Sequence, residues 1–216
     1  MARRQPRFAP RDLNYDVRLQ DESQDLWGER FNEVARSLLS TAVRCFAANG
    51  YHATTTRDIT SMVGLSPAAL YVHFASKEVI LYEIIRSSHE DALEFIQGIP
   101  EDASSSDRLR HVVSRHVAWH GRHHVAARVA QYELAGLTAE HYAEIMRLRH
   151  LTNDVFREAV ARGIADGSFG PGEVNRVVRA ILSLSIDLVR WYRLNGPDSP
   201  EELGAFYAEL ALKMLR

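Results

Sequence analysis

Cysteine is almost absent from this chain, and its scarcity removes one class of architecture at once. The single Cys45 can form no intrachain disulfide, and its place beside Phe46 on the apolar side of an expected helix gives it the character of a buried, inert thiol. Long apolar runs are missing too: no stretch approaches the roughly 20 residues that a membrane-spanning helix needs. The first residues hold no apolar signal core, so the expected location is the cytoplasm. Nothing alternates polar and apolar residues as a half-buried strand would. Also missing are a G-x-S-x-G elbow, a Gly-rich phosphate loop and an H-E-x-x-H pair, and no two carboxylates stand at a telling position. The expectation is therefore a chain that is not an enzyme and needs no cofactor. Lysine is scarce, with two against 24 arginines, and the net charge is −2. Blanket basicity is excluded, so binding to nucleic acid has to come from local charge.

What is present is helical. In 216 residues, 46% of them apolar, Ala, Leu, Arg and Glu dominate, and apolar residues recur every three or four places. The first such stretch is 30–49, with Phe31, Val34, Leu38, Ala42 and Phe46 on one side and Asn49-Gly50 as its stop. Further helices are expected over 77–97, 106–120, 123–136, 138–166, 172–195 and 200–215. The last has the clearest start: Ser199 caps, Pro200 takes the first helical position and Glu202 completes a capping box. No internal repeat or low-complexity segment is found. Ahead of all this, Arg3, Arg4, Arg7 and Arg11 stand without an acid among them, after which the balance reverses towards Glu29. Residues 1–29 read as a flexible basic and acidic arm, the basic part either tracking phosphate or the minor groove, or simply a disordered tail.

Residues 51–77, YHATTTRDITSMVGLSPAALYVHFASK, are the most informative. A hydroxyl in the Thr54-Thr55-Thr56 run can cap a short helix that has Asp58 in its first turn, buries Ile59 and Val63 and stops at Gly64. Leu65 fills a turn, Ser66 caps a second helix, and Pro67 occupies its first position. In that second helix Ala68, Ala69 and Leu70 are expected to face back, and Tyr71, Val72 and His73 to face outwards. Ser76 caps again, and Lys77 opens the longer helix. Two short helices about a tight turn are the arrangement that sets one helix in the major groove of DNA.

The entry ATTTRDIT, the G-L-S-P-x-A-L-Y turn and helix, and the exit H-F-x-S-K-E resemble the DNA-binding domain of the TetR family of bacterial repressors, over about 30–80. One departure is Ala68, where the family often has Gly; Ala favours the helix. The resemblance implies an all-α protein with an N-terminal three-helix helix-turn-helix domain (30–76) and a C-terminal helical bundle for ligand binding and dimerisation (77–216). It implies a palindromic operator in double-stranded DNA, read by a homodimer. Thr55, Thr56, Tyr71, His73 and Lys77 are expected mainly on phosphates, and Arg57, Ser66, Pro67, Ala68 and Val72 at base edges or thymine methyls; a one-residue rotation of the short helix would exchange these roles.

Helix 172–195 carries apolar residues nearly all round, and with Leu203, Phe206, Tyr207, Leu210 and Met214 on helix 200–215 it calls for more cover than one subunit gives. The reading is an isologous dimer through these two helices, with a monomeric bundle as the alternative. The resemblance points to the same dimer. Histidines crowd the middle, with His116 and His120 one turn apart. A metal lacks a further ligand at a recognisable spacing, so the reading is a mostly apolar effector cavity lined by His116, Trp119, His120, Tyr132 and Glu133, with ordinary interhelical packing as the alternative. Arg190 and Trp191 either face an acidic ligand or close the bundle end by stacking. The run V-R-W-Y-R…G-P-x-S-P-E-E-L is similar to that of a TetR subgroup of fatty-acid and steroid degradation regulators responding to acyl-CoA thioesters. The expected function is a ligand-responsive repressor, with no membrane partner. The alternatives are a regulator of drug or secondary-metabolite efflux, and a helical binding module or enzyme that does not bind DNA.

Overall fold

The computed structural model describes residues 19–20 and 22–216, and every regular element among them is helical. Nine α-helices follow in order among these residues: α1 Glu33–Asn49, α2 Thr56–Met62, α3 Pro67–His73, α4 Lys77–Ile96, α5 Ser105–Arg122, α6 His124–Tyr132, α7 Ala139–Ala165, α8 Val174–Asp187 and α9 Pro200–Met214. No helix among the described residues is long and apolar enough to cross a membrane.

The chain divides into two compact units, Met1–Ser88 with Val125–Tyr142, and His89–His124 with Ala143–Arg216. In the first, α1 starts at Glu33 rather than at residue 30, because the Asn32 side chain accepts the Ala35 N–H and sets the N-cap there. Phe31 consequently lies outside the helix, its ring 6.1 Å from that of Phe74. Val34, expected in the core, is exposed in the first turn, whereas Leu38, Leu39, Ala42 and Phe46 are buried. The expected flexible arm over 1–29 does not hold at its C-terminal end. Ser23–Trp27 is a 3-10 turn with Leu26 and Trp27 buried, and the Trp27 indole N–H donates to Ser40 Oγ at 2.7 Å. Arg3, Arg4, Arg7 and Arg11 lie outside the described residues.

The second unit closes on a core of Ile96, Leu109, Val112, Val117, Phe156 and Leu212, among others. Within it α5 packs closely along α9. Gly204 makes that approach possible: a Cβ there would run into the carbonyl oxygen of Ser114. The expected helix 172–195 is shorter, ending at Asp187 and continuing as a 3-10 turn Leu188–Arg190. The tighter pitch lets Leu188, Val189 and Tyr192 all point into the interior. Likewise 123–136 is α6 followed by a separate 3-10 turn, Leu134–Gly136. The start of α9 matches its expected signals, with a full capping box between Ser199 and Glu202.

Candidate nucleic-acid interface

Local chemistry sets the helix-turn-helix in place. Thr55 and Asp58 form a reciprocal capping box at the start of α2, and the Thr55 hydroxyl donates to the Asp58 carboxylate at 2.7 Å. Behind it Thr54 is buried, its hydroxyl bonded to the carbonyls of Cys45 and Gly50. Gly64 leaves α2 at φ 69°, a left-handed conformation that favours glycine, and the Leu65 N–H returns to Thr60 O at 2.9 Å. Two residues later the Ser66 hydroxyl accepts the Ala69 N–H and Pro67 opens α3. Leu70 and Phe74 anchor that helix in the core.

This anchoring decides what α3 shows to the outside. Ser66, Pro67 and Ala68 are exposed, Tyr71 is 56% and Val72 81% exposed, and Ala69 and His73 are half-buried. Ala68 thus faces outwards, not back as the sequence led us to expect. From α2, Arg57 is exposed and Thr56 half-buried. Thr55 is exposed, with its hydroxyl engaged in the capping box.

Lys77 has a different place from the expected phosphate contact. Its ammonium donates to the carbonyls of Tyr51 at 2.8 Å and Thr54 at 2.7 Å, and it sits 4.1 Å from the centre of the Tyr51 ring. Burial lowers its pKa, against the opposing pull of Asp58. Tyr51 is therefore a hub that the sequence did not disclose. Its ring meets Phe46 edge-on, with centroids 5.4 Å apart, and its N–H donates to the Glu133 carboxylate at 3.1 Å. Further along the same segment Glu78 accepts the Thr138 N–H at 3.0 Å and lies 2.8 Å from His141 Nδ1, while His141 stacks on Tyr82 at 3.7 Å. The Arg128 guanidinium donates to the Ala47 carbonyl. Partners up to 82 residues apart in the chain leave no local signal of their pairing.

The seven expected effector residues are divided between the two units. His116, Trp119 and His120 come together in the second unit. The His116 and His120 rings are 4.2 Å apart, His120 Nδ1 lies 2.8 Å from the His116 carbonyl oxygen, and the Trp119 indole donates to Asp91 at 2.6 Å. Burial holds His116 well below the usual histidine range, and burial with the positive side chains nearby brings His120 down to about 4. Both are neutral at neutral pH, and buried His116 keeps a ring nitrogen, Nδ1, without a hydrogen-bond partner. Tyr132 and Glu133 belong instead to the first unit, where Tyr132 is exposed and Glu133 holds the Tyr51 N–H. Arg190 is exposed and paired with Asp187 at 3.0 Å, next to a Trp191 that is itself about half exposed.

Two family models match the chain, one towards each end. Residues 38–84 match the family model described as bacterial regulatory proteins, tetR family, and residues 102–215 match the model for a tetracyclin repressor-like C-terminal domain. The chain is 33% identical over 184 residues to the HTH-type transcriptional repressor KstR2 of Mycolicibacterium smegmatis, covering 81% of this chain and 87% of that one. Among solved structures, a bacterial regulatory protein in the tetR family from Rhodococcus RHA1 superposes with a TM-score of 0.80 at 38% identity, covering 86% of this chain and 98% of the other. The ketosteroid transcriptional regulator KstR2 of Mycobacterium tuberculosis gives 0.79 at 28% identity, over 86% and 96%.

Proposed function

The chain belongs to the TetR family of bacterial regulatory proteins, and on that premise we propose that it is a homodimeric repressor whose hold on a palindromic operator is released by an acyl-CoA-like effector. The observation that carries the DNA half of this reading is α3. A seven-residue helix fixed from behind by Leu70 and capped by Ser66 leaves Tyr71 and Val72 in solvent, a placement that suits a major groove and no internal role. In this reading residues 30–76 read DNA, with Ser66, Pro67, Ala68 and Val72 towards the bases and Tyr71, His73, Thr55 and Thr56 towards phosphates. Arg57, exposed on α2, adds a cation at the edge. Residues 77–216 supply effector binding and dimerisation, and the protein acts in the cytoplasm without a catalytic step.

Support for the dimer comes from α8 and α9. Phe206, Leu210 and Met214 follow one another every fourth residue on α9; Phe206 is 63% and Met214 41% exposed, and Leu184 on α8 is 43% exposed. A second copy related by two-fold symmetry would cover such a row. The effector class is supported by the ketosteroid regulators to which the chain is similar and by its V-R-W-Y-R run. His116, Trp119 and His120 in the second unit are our candidates for its contacts, with Arg190 and Trp191 for a charged part of it. Effector binding lowers operator affinity by favouring a different spacing of the two reading heads; each hundredfold loss requires a preference of about 2.7 kcal/mol for that state.

A gel shift with DNA upstream of the protein's own gene tests the first half. A discrete complex is expected, lost in Tyr71→Ala; unchanged binding by that variant would remove α3 from the interface. Native mass spectrometry with a panel of acyl-CoA thioesters and their free acids tests the second, with a mass shift expected for a thioester alone.

A further inference from the structure

The exposed side of α3 has a restricted chemistry for a DNA-reading helix. Across Pro67–His73, PAALYVH, there is no Arg, Lys, Asn or Gln. The bidentate hydrogen bonds by which those side chains single out guanine or adenine are unavailable to this helix. Ser66 already uses its hydroxyl oxygen to accept the Ala69 N–H. What remains on the outer face is largely apolar. Ala68 and Val72 stand four residues apart and so lie on one stripe, both exposed, with the exposed Pro67 and Tyr71 forming the adjacent row. Leu70 is fully buried, and Val72, two residues and roughly 200° further round the helix, points the opposite way. The register of the stripe is thereby fixed by the core.

At the floor of the major groove one base offers an apolar group, the C5-methyl of thymine. Resting on the operator reading above, we propose that this protein selects its operator through thymine methyl groups, with Val72 and Ala68 as the contacting side chains in each half-site. The interface concerned is the face of the helix-turn-helix itself, and the occupant is duplex DNA with thymines at the positions opposite residues 68 and 72. Burying one methyl is worth about a fourfold change in affinity, and the two half-sites together about fifteenfold. Because Val72 touches no phosphate in this arrangement, its truncation leaves the salt dependence of binding unaltered.

The test uses the full-length chain and a duplex selected from a random pool by its binding to that chain. Each thymine is replaced in turn, symmetrically in both half-sites, by deoxyuridine, which pairs identically and lacks only the methyl. The expected result is a loss of about fifteenfold at one or two thymines per half-site, shrinking to below about threefold in Val72→Ala at the thymine opposite residue 72 and in Ala68→Gly at the one opposite residue 68, with an unchanged slope of affinity against salt in Val72→Ala. Val72 is 81% exposed, so this variant folds as the parent does, which a matched thermal melt verifies. Tolerance of deoxyuridine at every position, in a protein that binds the thymine duplex, overturns the proposal and leaves operator binding intact. So does a penalty that persists in full in both Val72→Ala and Ala68→Gly. Failure to select any duplex overturns operator binding itself and this inference with it.

Discussion

Lys77 carries the plainest lesson at the scale of single residues. An exposed-looking cation at a helix start reads as a phosphate contact, yet its ammonium lies against the Tyr51 ring and donates to two carbonyls. Lys77→Met removes that donor, leaving the Tyr51 and Thr54 carbonyls short of a partner. The expected cost is about 1–3 kcal/mol, seen as a fall in Tm; an unchanged Tm with weakened operator binding would return Lys77 to the phosphates. The histidines give a second prediction. With folded-state pKa values below the unfolded value of about 6.5, His116 and His120 take up protons later in the folded state than in the unfolded one. Stability from this source is complete above pH 6.5, declines as the pH falls below it, and levels off once the folded pKa, about 4 for His120, is passed. Urea unfolding is expected to show a loss on the order of 2–4 kcal/mol between pH 7.5 and pH 5 from the two groups together, and replacing both histidines with Gln should flatten that slope.

Between elements, close approach and distant hydrogen bonds matter more than propensity. Gly204→Ala places a methyl against the Ser114 carbonyl where α9 meets α5, and backbone cannot step aside as a flexible side chain can. A destabilisation of about 1–3 kcal/mol is expected, measurable as a lowered urea midpoint with an unchanged m-value. Residues 125–142 are an element-scale surprise, because they belong to the same compact unit as the helix-turn-helix. Glu133, expected to face an effector, instead accepts the Tyr51 N–H. Glu133→Ala should accordingly destabilise this unit by about 1–3 kcal/mol, with acyl-CoA binding by native mass spectrometry unaffected. An affinity loss for thioester without a stability loss would return Glu133 to the effector site. Three helix starts were legible from local caps, Thr55, Ser66 and Ser199, each of which bonds within three residues, whereas the equally local Asn32 cap of α1 was passed over. The early end of α8 was not legible, since it follows from Leu188, Val189 and Tyr192 being drawn into a core built by distant helices.

For the whole molecule, the row of Phe206, Leu210 and Met214 makes the dimer testable. Phe206→Glu places a charge on an exposed position, harmless to a single chain and repulsive across a two-fold axis. Sedimentation at micromolar concentration should give the mass of two chains for the parent and of one for the variant. An unshifted variant would remove α9 from the interface. By itself the sequence determined the helical class, the capped pair of helices about Gly64 and the presence of Tyr71 and Val72 on the reading helix, because periodicity, caps and turn residues act within a few positions of one another. It also carried the family, since those local signals must all coincide. Only the tertiary structure decided that Ala68 faces outwards, that Lys77 and Glu133 both bond to Tyr51, and that the rings of His116 and His120 meet. Those outcomes depend on which distant groups compete for a buried charge, a free carbonyl or a gap in the core, and that competition is settled when the helices pack.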